Sequence, residues 1–355
     1  MLYTREILEQ PGKFIKNGIP EFGTFKGHPD RLDIRGVKNP YSFHFPKVLS
    51  NLRIKSRLSL YFSLGEFIGH INFLDAKVFG FAEVVFWNAK TLKKFVYHSV
   101  MGPRKRFVPH DMNTAATGCY RKHRYIRISW DRKAGRISAV FNLKGDSVRP
   151  SVNATLTGTF TDSLSSELTS ILPSPTMRRC TGKYNAGFNL HGSITIIPKK
   201  QPGQTMTDSQ GFGFLDINRT YMKVHNEGEF ITGIGCYDEK PVLFRIESTS
   251  QEAVNPDKYN GNVLFYNGEV TVLPPVVITH PFGIKKNWVI QDTENMIDLS
   301  FTPSSDNINK VSIFVLKAEY NTIFGKLEGT LATAGGEKIN FKSFDGIAQK
   351  YKIRL

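Results

Sequence analysis

Apolar and polar residues alternate with a period of two along much of the chain. The clearest stretch runs from Asn153 to Thr161, where threonine at every second position alternates with apolar or small residues. A period of two places successive side chains on opposite faces of a strand, so this pattern predicts a strand with one buried face. Similar runs begin near Arg57, Val242 and Ile297. The alternation therefore predicts a protein built from strands.

Two glycine-containing turns indicate that neighbouring strands pair antiparallel. Asn267-Gly268 stands between two apolar runs and is the dipeptide that best suits a tight hairpin. Gly335-Gly336 predicts a second hairpin, which would join Leu327–Ala332 to Lys338–Phe341. Many short strands with hairpin turns and almost no helical segments are typical of barrels or sandwiches. We therefore expect an all-β fold with little helix.

One segment has helical rather than strand spacing. Leucine and isoleucine residues between Leu164 and Leu172 would share one face of a helix, which Asp162 could cap and Pro173 would end. The spacing predicts a short helix there, and a strand is the open alternative.

The middle of the chain contains the expected domain boundary. Pro173-Ser174-Pro175 interrupts the pattern, and alternation resumes by Ser193. The chain has 355 residues, which exceeds the usual size of one domain. We therefore expect an N-terminal barrel domain of residues 1–178 and a C-terminal barrel domain of residues 179–355.

Composition agrees with a folded β protein and indicates its compartment. The chain has 27 phenylalanines, and aromatic residues favour strands. Cys119, Cys180 and Cys236 lie far apart, which is typical of unpaired thiols in a reducing compartment. The first residues include charged side chains that a secretory signal would lack, and the most apolar stretch, Val78 to Trp87, is about half the length that spans a bilayer. We expect a cytoplasmic protein without a transmembrane segment.

The positive charge is concentrated in one segment. The formal net charge is +16, and the segment from Lys93 to Arg136 holds twelve Lys or Arg against two Asp. Cations mixed with aromatic residues are typical of grooves that bind single-stranded nucleic acid, and a basic surface also attracts anionic lipid. The candidate polyanion-binding residues are Arg104, Lys105, Arg106, Arg121, Lys122 and Arg124. A solvated face of an ordinary basic barrel explains the same composition, and we favour it because no RNA-binding signature accompanies the segment.

Known cofactor and catalytic motifs are absent from the sequence. It contains no phosphate-binding glycine loop, dinucleotide fingerprint, zincin helix or paired CxxC ligands. Its nine histidines show no metal-ligand spacing. We therefore predict neither a metal nor a cofactor.

Glu83 is the acid that the pattern singles out. Alternation places it on the same strand face as Phe81, Val85 and Trp87. A carboxyl group desolvated by such residues would have a raised pKa and could donate a proton. The alternative is that this face meets solvent or a partner and the acid is hydrated. We favour the hydrated alternative, because perturbed acids are a minority of all acids.

Several short motifs follow one another through the second half of the chain. They are Gly182–Asn185, His191-Gly192, Gly213–Asp216, Gly261–Phe265, Ile297–Pro303, Phe324–Gly329 and Asp345–Ala348. Together they resemble the domain-of-unknown-function family 2804, over the chain from about Glu6 to its end. The chain departs from the family pattern near Lys55 and at Glu229-Phe230, where it lacks the family's tryptophans, so it resembles a divergent member.

The resemblance carries expectations about fold and function. The family looks like a distant relative of two-barrel, lipocalin-like proteins that include carotenoid hydratases and cyclising enzymes. This implies two lipocalin-like barrels and a cavity for an apolar small molecule, but no assigned reaction. By position, it implies ligand-binding roles for Lys183, Asn185, Asp216 and Asn262. It also favours a strand between Leu164 and Leu172.

Two functions of different classes follow from these observations. The first is a protein that holds an apolar or lipid-like molecule inside one barrel or between the two, with Glu83 or Asp216 as proton donor if it is a hydratase or cyclase. The second is a polyanion-binding or membrane-surface module that uses Lys93 to Arg136. The dependence of binding affinity on salt concentration distinguishes the two functions. Binding by apolar burial tolerates salt, whereas binding through phosphate contacts weakens as salt rises. The sequence leaves open whether chemistry occurs and which oligomer forms.

Overall fold

The computed structural model of the chain describes residues 3–43, 46–103, 107–199, 203–313 and 316–354. Strands make up 62% of the protein and helix 2%, which confirms the all-β prediction. In the described residues the one α-helix is α1 (Lys47–Leu52). Two large sheets and one small hairpin account for the strands.

The first large sheet and the small hairpin come from the first 221 residues. Their strands are β1 (Ile7–Leu8), β2 (Ile15–Lys16), β3 (Ile19–Pro20), β4 (Gly23–Lys26), β5 (Ile54–Leu64), β6 (Phe67–Asp75), β7 (Gly80–Asn88), β8 (Lys94–Met101), β9 (Thr114–Arg121), β10 (Arg124–Asp131), β11 (Arg136–Leu143), β12 (Ser151–Thr159), β13 (Ser166–Pro173), β14 (Cys180–Ile197) and β15 (Gln204–Tyr221). The main strand order is β8-β7-β6-β5-β15-β14-β12-β11-β10-β9, with β13, β4 and β1 attached beside β14. This sheet forms a nearly closed barrel.

The second large sheet comes from the rest of the chain. Its strands are β16 (His225–Tyr237), β17 (Lys240–Thr249), β18 (Val263–Tyr266), β19 (Glu269–Val272), β20 (Val277–Thr279), β21 (Trp288–Gln291), β22 (Ile297–Ile313), β23 (Leu316–Ala332) and β24 (Lys338–Arg354). They follow the order β19-β18-β17-β16-β24-β23-β22-β21-β20 and form a half-barrel.

The chain passes from one sheet to the other after Tyr221. Strands β14 and β15 pair with β12, β13 and β5, so they continue the first sheet. The expected boundary near residue 178 falls just before β14, within the segment that builds the first sheet.

The predicted helix between Leu164 and Leu172 is wrong, and the strand alternative is confirmed. Strand β13 pairs with β14 on one side and with β4 on the other. Nearly all of its residues are buried, so both faces of the strand lie against protein. A strand buried on both faces has no reason to alternate, which explains why its apolar residues imitate helical spacing. Asp162 accepts a hydrogen bond from the Leu164 amide at 3.1 Å and stabilises the preceding turn.

Both predicted hairpins are confirmed. Asn267 and Gly268 join β18 to β19 with φ angles of 49° and 84°, as a tight turn of mirror-image type requires. Strands β23 and β24 are joined by the turn that contains Gly336, whose φ is 87°.

Strand β5 is buried on both of its faces, each against a different part of the protein. Leu58, Leu60 and Phe62 belong to a hydrophobic cluster that fills the first barrel. The alternate residues Ser59 and Tyr61 are also fully buried, on the opposite face of the sheet. The Tyr61 side packs into a separate cluster with residues of the second sheet. The polar face of this strand is therefore covered by the second sheet rather than by solvent.

Candidate functional site

A row of polar side chains crosses the first sheet on the face that meets the second sheet. In cross-strand order it consists of Asn185, Asp216, Ser59, Asn72, Glu83 and His98. Residues paired across strands place their side chains on the same face. The first five members are buried, although the sequence alone did not connect them. The register of three of these strand pairs, β15–β5, β5–β6 and β6–β7, places the two predicted acids, Asp216 and Glu83, on one row.

Asp216 joins arginines from both sheets. Arg57 donates from Nη2 to Asp216 Oδ2 at 2.7 Å, and Nη2 of Arg245 lies 3.5 Å from the same oxygen. Asn185 donates to the other carboxylate oxygen at 3.2 Å. Burial works to raise the pKa of Asp216, but Arg245, Arg57 and Lys183 outweigh it and lower the pKa below its ordinary value. Asp216 is therefore ionised at neutral pH and holds the arginines in place.

Glu83 is buried, with 4% of its surface exposed, so the hydrated alternative is wrong. The amide of Asn307 donates to Glu83 Oε1 at 3.4 Å, and Asn309 donates to the same oxygen. Nε2 of His70 lies 3.7 Å from Glu83 Oε2. Both asparagines belong to β22, so the partner that covers this face is the second sheet of the same chain.

A cavity opens between the two sheets beside the polar row. Its volume is about 900 Å³, which includes solvent at the open mouth. Strands β5, β14 and β15 provide one wall. This wall carries two neighbouring cross-strand rows, namely Lys55, Thr220 and Thr181, and then Arg57, Asn218 and Lys183.

The opposite wall of the cavity is aromatic. The ring of Phe230 stacks on Tyr351 with 5.5 Å between centroids, and Tyr351 stacks on Tyr320 at 6.1 Å. The guanidinium groups of Arg57 and Arg245 lie 4.7 Å and 4.2 Å from the centre of the Phe230 ring. Cations over an aromatic ring attract it, so the arginines that Asp216 holds also fix the position of Phe230.

Two acids on the cavity wall, Glu247 and Glu252, were not among the predicted site residues. Glu247 forms an ion pair with Lys183, and only 9% and 7% of the two side chains, respectively, are exposed. The Thr249 amide donates to Glu252 at 2.6 Å. Burial raises the pKa of Glu252 above its ordinary value, and the nearby Glu247 carboxylate adds to this effect. The available sequence signal was the pair of charged residues, Arg245 and Glu247, on one face of an apolar strand.

Gly261 lies directly against the ion pair of Lys183 and Glu247. A Cβ atom at this position would come within 2.6 Å of Lys183 Nζ and 2.8 Å of Glu247 Oε1. Glycine therefore permits the close approach of the loop to the charged pair.

Asn262 lines the cavity, but its side chain binds the backbone. Its Oδ1 accepts from the Glu247 amide at 2.9 Å, and its Nδ2 donates to the Pro274 carbonyl at 2.7 Å.

Of the residues implied by resemblance, Lys183 and Asn262 line the cavity. Asn185 and Asp216 contact each other next to it, and Asp216 reaches the cavity through Arg57. Their ligand-binding roles stay predictions.

The predicted polyanion-binding residues are only partly described. Arg104, Lys105 and Arg106 lie outside the described residues. Arg121 and Lys122 are exposed where β9 turns into β10. Arg124 donates to two main-chain carbonyls at 2.6 Å each and lies 5.2 Å from the Tyr97 ring centre. Arg124 is therefore engaged by its own chain.

Within the described ranges, no three His, Cys, Asp or Glu residues are grouped so as to hold a metal ion. No helix in that part of the chain is long and apolar enough to cross a membrane.

These observations define an all-β protein of two facing sheets with a partly aromatic cavity between them. Residues 6–355 match the family model described as domain of unknown function (DUF2804). The chain belongs to this family, which confirms the resemblance seen in its motifs.

Comparison with individual proteins adds two distant structural matches. No curated protein matches the chain. The crystal structure of CghA with Sch210972 is 13% identical, covers 98% of either chain and has a TM-score of 0.46. Kievitone hydratase from Nectria haematococca is 11% identical over 85% of this chain and 88% of its own, with a TM-score of 0.43.

Proposed function

We propose that the protein binds an apolar or lipid-like small molecule in the cavity between its two sheets. The observation that carries this proposal is the cavity, with the aromatic wall of Phe230, Tyr320 and Tyr351 facing a wall with a few polar groups. Small-molecule sites are concave and mostly apolar, with a small number of polar groups that orient the ligand. The first barrel is filled with side chains, which supports the space between the sheets as the site.

The same cavity supports a proton-transfer reaction of the hydratase or cyclase kind. Because the pKa of Glu252 is raised, its carboxyl group keeps a proton to higher pH than an ordinary glutamate does. In a hydration, the Glu252 proton would add to one carbon of a double bond and a water oxygen to the other. The proton that the water loses would return to the Glu252 carboxylate. Asp216 does not suit the donor role, because its environment favours the ionised form.

A polyanion-binding module remains the second candidate, on one observation. Tyr120 and Tyr125 are exposed with ring centroids 5.4 Å apart, next to Arg121 and Lys122 in the β9–β10 hairpin. Exposed aromatic rings beside cations can stack bases and contact phosphates. A single-stranded oligonucleotide that binds here would lose affinity steeply as salt rises, whereas a cavity ligand would not.

The test of the proposed function is mass spectrometry of an organic extract of the purified protein. Ala253 lines the cavity, so Ala253→Trp should fill it, whereas the exposed Ala134 in a turn provides the matched control Ala134→Trp. We expect a stoichiometric apolar compound in the wild type and in Ala134→Trp, and its loss from Ala253→Trp. Retention of the compound by the filled variant, or an extract without any such compound from the wild type, would contradict the proposal.

A further inference from the structure

The cavity and its immediate surroundings hold more cations than acids. The cations are Lys55, Arg57 and Lys183 on the wall, with Lys77 and Arg245 next to them, and the acids are Asp75, Asp216, Glu247 and Glu252. Asp216 forms ion pairs with two arginines, Arg57 and Arg245. Asp75 pairs with Lys77 at 2.7 Å. Glu247 pairs with Lys183. One cation of this set therefore remains in excess even if Glu252 is ionised, and Arg53, whose charge also acts on Lys55, adds a further positive charge.

Lys55 is the cation without its own carboxylate. In the described residues its ammonium donates to the carbonyls of Ala76 at 2.6 Å and Leu52 at 3.1 Å. The pKa of Lys55 is lowered to about 8, mainly by burial and also by the positive charges of Lys77 and Arg53, whereas Asp75 works in the opposite direction. A partly buried ammonium of this kind gains stability when an anion comes into contact with it.

The neighbouring row of the wall adds donors of the same kind. Arg57 and Lys183 stand on either side of Asn218. Asn218 accepts at Oδ1 from the Thr220 hydroxyl at 2.7 Å, and Thr220 accepts from Thr181 at 3.1 Å. This chain of hydrogen bonds directs the amide nitrogen of Asn218, rather than its oxygen, to other acceptors. The wall therefore offers cations and an amide donor to a group that accepts hydrogen bonds.

We propose that the ligand is an amphipathic monoanion whose carboxylate binds at Lys55 and the row of Arg57, Asn218 and Lys183. Its apolar body would pack on the opposite wall, against Phe230 and Tyr351. This inference rests on the proposed function, because it names the class of molecule that the same cavity binds.

The test compares three probes with one ten-carbon chain and different head groups. Decanoate is an anion, decanamide is a neutral molecule of nearly the same shape, and decylamine is a cation. Charge-assisted hydrogen bonds contribute more than neutral ones, so calorimetry should show decanoate binding about tenfold more tightly than decanamide. Decylamine should bind most weakly, because its charge repels the excess cation.

Three variants connect the preference to Lys55. Lys55→Gln keeps a hydrogen-bond donor but removes the charge, so the advantage of decanoate over decanamide should shrink about tenfold. Lys55→Arg should retain the advantage. Lys342 is exposed on β24, and Lys342→Gln removes the same charge without an effect on the preference.

The outcomes separate the two proposals. Equal binding of decanoate and decanamide, or a preference for decylamine, overturns the anionic ligand and leaves the apolar cavity in place. An undiminished preference for decanoate in Lys55→Gln also overturns the assignment. If none of the three probes binds, the proposed function fails together with the inference that rests on it.

Discussion

The ammonium of Lys183 on β14 and the carboxylate of Glu247 on β17 form a buried ion pair that joins the two sheets on the wall of the cavity. A second connection, from Asp216 to Arg245, lies close to it. The cavity exists only where the sheets face each other. The shape of the cavity therefore depends on these charged contacts, which hold the two sheets together.

Removing one member of the Lys183 pair should destabilise the protein strongly. Lys183→Met leaves Glu247 buried without a counterion, which costs about 3 kcal/mol of unfolding free energy. The double variant Lys183→Met with Glu247→Leu removes both charges and should recover most of that loss. Urea unfolding at pH 7 measures both values. A double variant as unstable as the single one would show that packing, rather than the unpaired charge, sets the cost.

Asp216→Asn should destabilise the protein in a manner that depends on pH. The variant leaves Arg57 and Arg245 without their carboxylate, and we expect a loss of about 3 kcal/mol at pH 7. The pKa of Asp216 is lowered, so its contribution is present above the ordinary pKa of 3.8 and is lost as pH falls through the lower folded value. The difference from the wild type should therefore shrink in acid.

The control for this prediction is Asp298→Asn, at an exposed position of β22. It should change the unfolding free energy by less than about 0.5 kcal/mol at either pH. A constant difference between Asp216→Asn and the wild type from pH 7 to pH 3 would contradict the ionised state assigned to Asp216.

Glu252→Gln should show the opposite dependence on pH. The folded pKa of Glu252 is raised, so the wild type loses stability as pH rises from the ordinary value of 4.5 through the folded value. Glutamine can still accept from the Thr249 amide and has no charge to bury. We expect the variant to gain stability relative to the wild type as pH rises from 4 to 8. Unfolding across this range measures the gain, with the exposed Glu294→Gln as a control that should show none.

The affinity for decanoate should fall in mild alkali. Burial, together with the positive charges of Lys77 and Arg53 and against the attraction of Asp75, lowers the pKa of Lys55 to about 8 in the free protein. Decanoate stays ionised above neutral pH, so deprotonation of Lys55 should weaken its binding by up to about tenfold between pH 7 and pH 9.5. Calorimetry at both pH values should show that Lys55→Gln lacks this loss. The same loss in Lys55→Gln would assign the dependence to another group.

Alanine substitution at two glycines tests the contact between the β18–β19 hairpin and the turn that joins β12 to β13. Gly268 has a φ of 84°, and a Cβ there would lie 2.4 Å from the Ser163 carbonyl oxygen. Gly283 has a similar φ of 90° with no atom within 4 Å of its Cβ position. Gly283→Ala should therefore cost about 1 kcal/mol for the backbone alone, and Gly268→Ala at least about 1 kcal/mol more. Equal losses in urea unfolding would show that the contact with Ser163 adds nothing.

Local features of the chain could be predicted from the sequence because their causes are local. The alternation from Asn153 to Thr161 forms β12, since a strand places successive residues on opposite faces whatever lies around it. Asn267 and Gly268 make a tight turn because these two residues adopt positive φ at low cost. The family motifs likewise led to the family that the whole chain matches.

The tertiary structure decided what covers each face and which residues meet. Alternation distinguished Arg57 and Ser59 from their apolar neighbours, but it did not show that the second sheet covers the face on which they lie. The row that places Asp216 beside Ser59 depends on pairing between β15 and β5, which lie far apart in the chain. Glu247 on β17 and Glu252 in the loop after it reach the cavity because the second sheet docks on the first. The charged pair of Arg245 and Glu247 on an apolar strand was a local signal, but it did not show what covers that face of the strand. Strand order and sheet docking follow from the summed burial of the whole chain, and a local period carries no information about them.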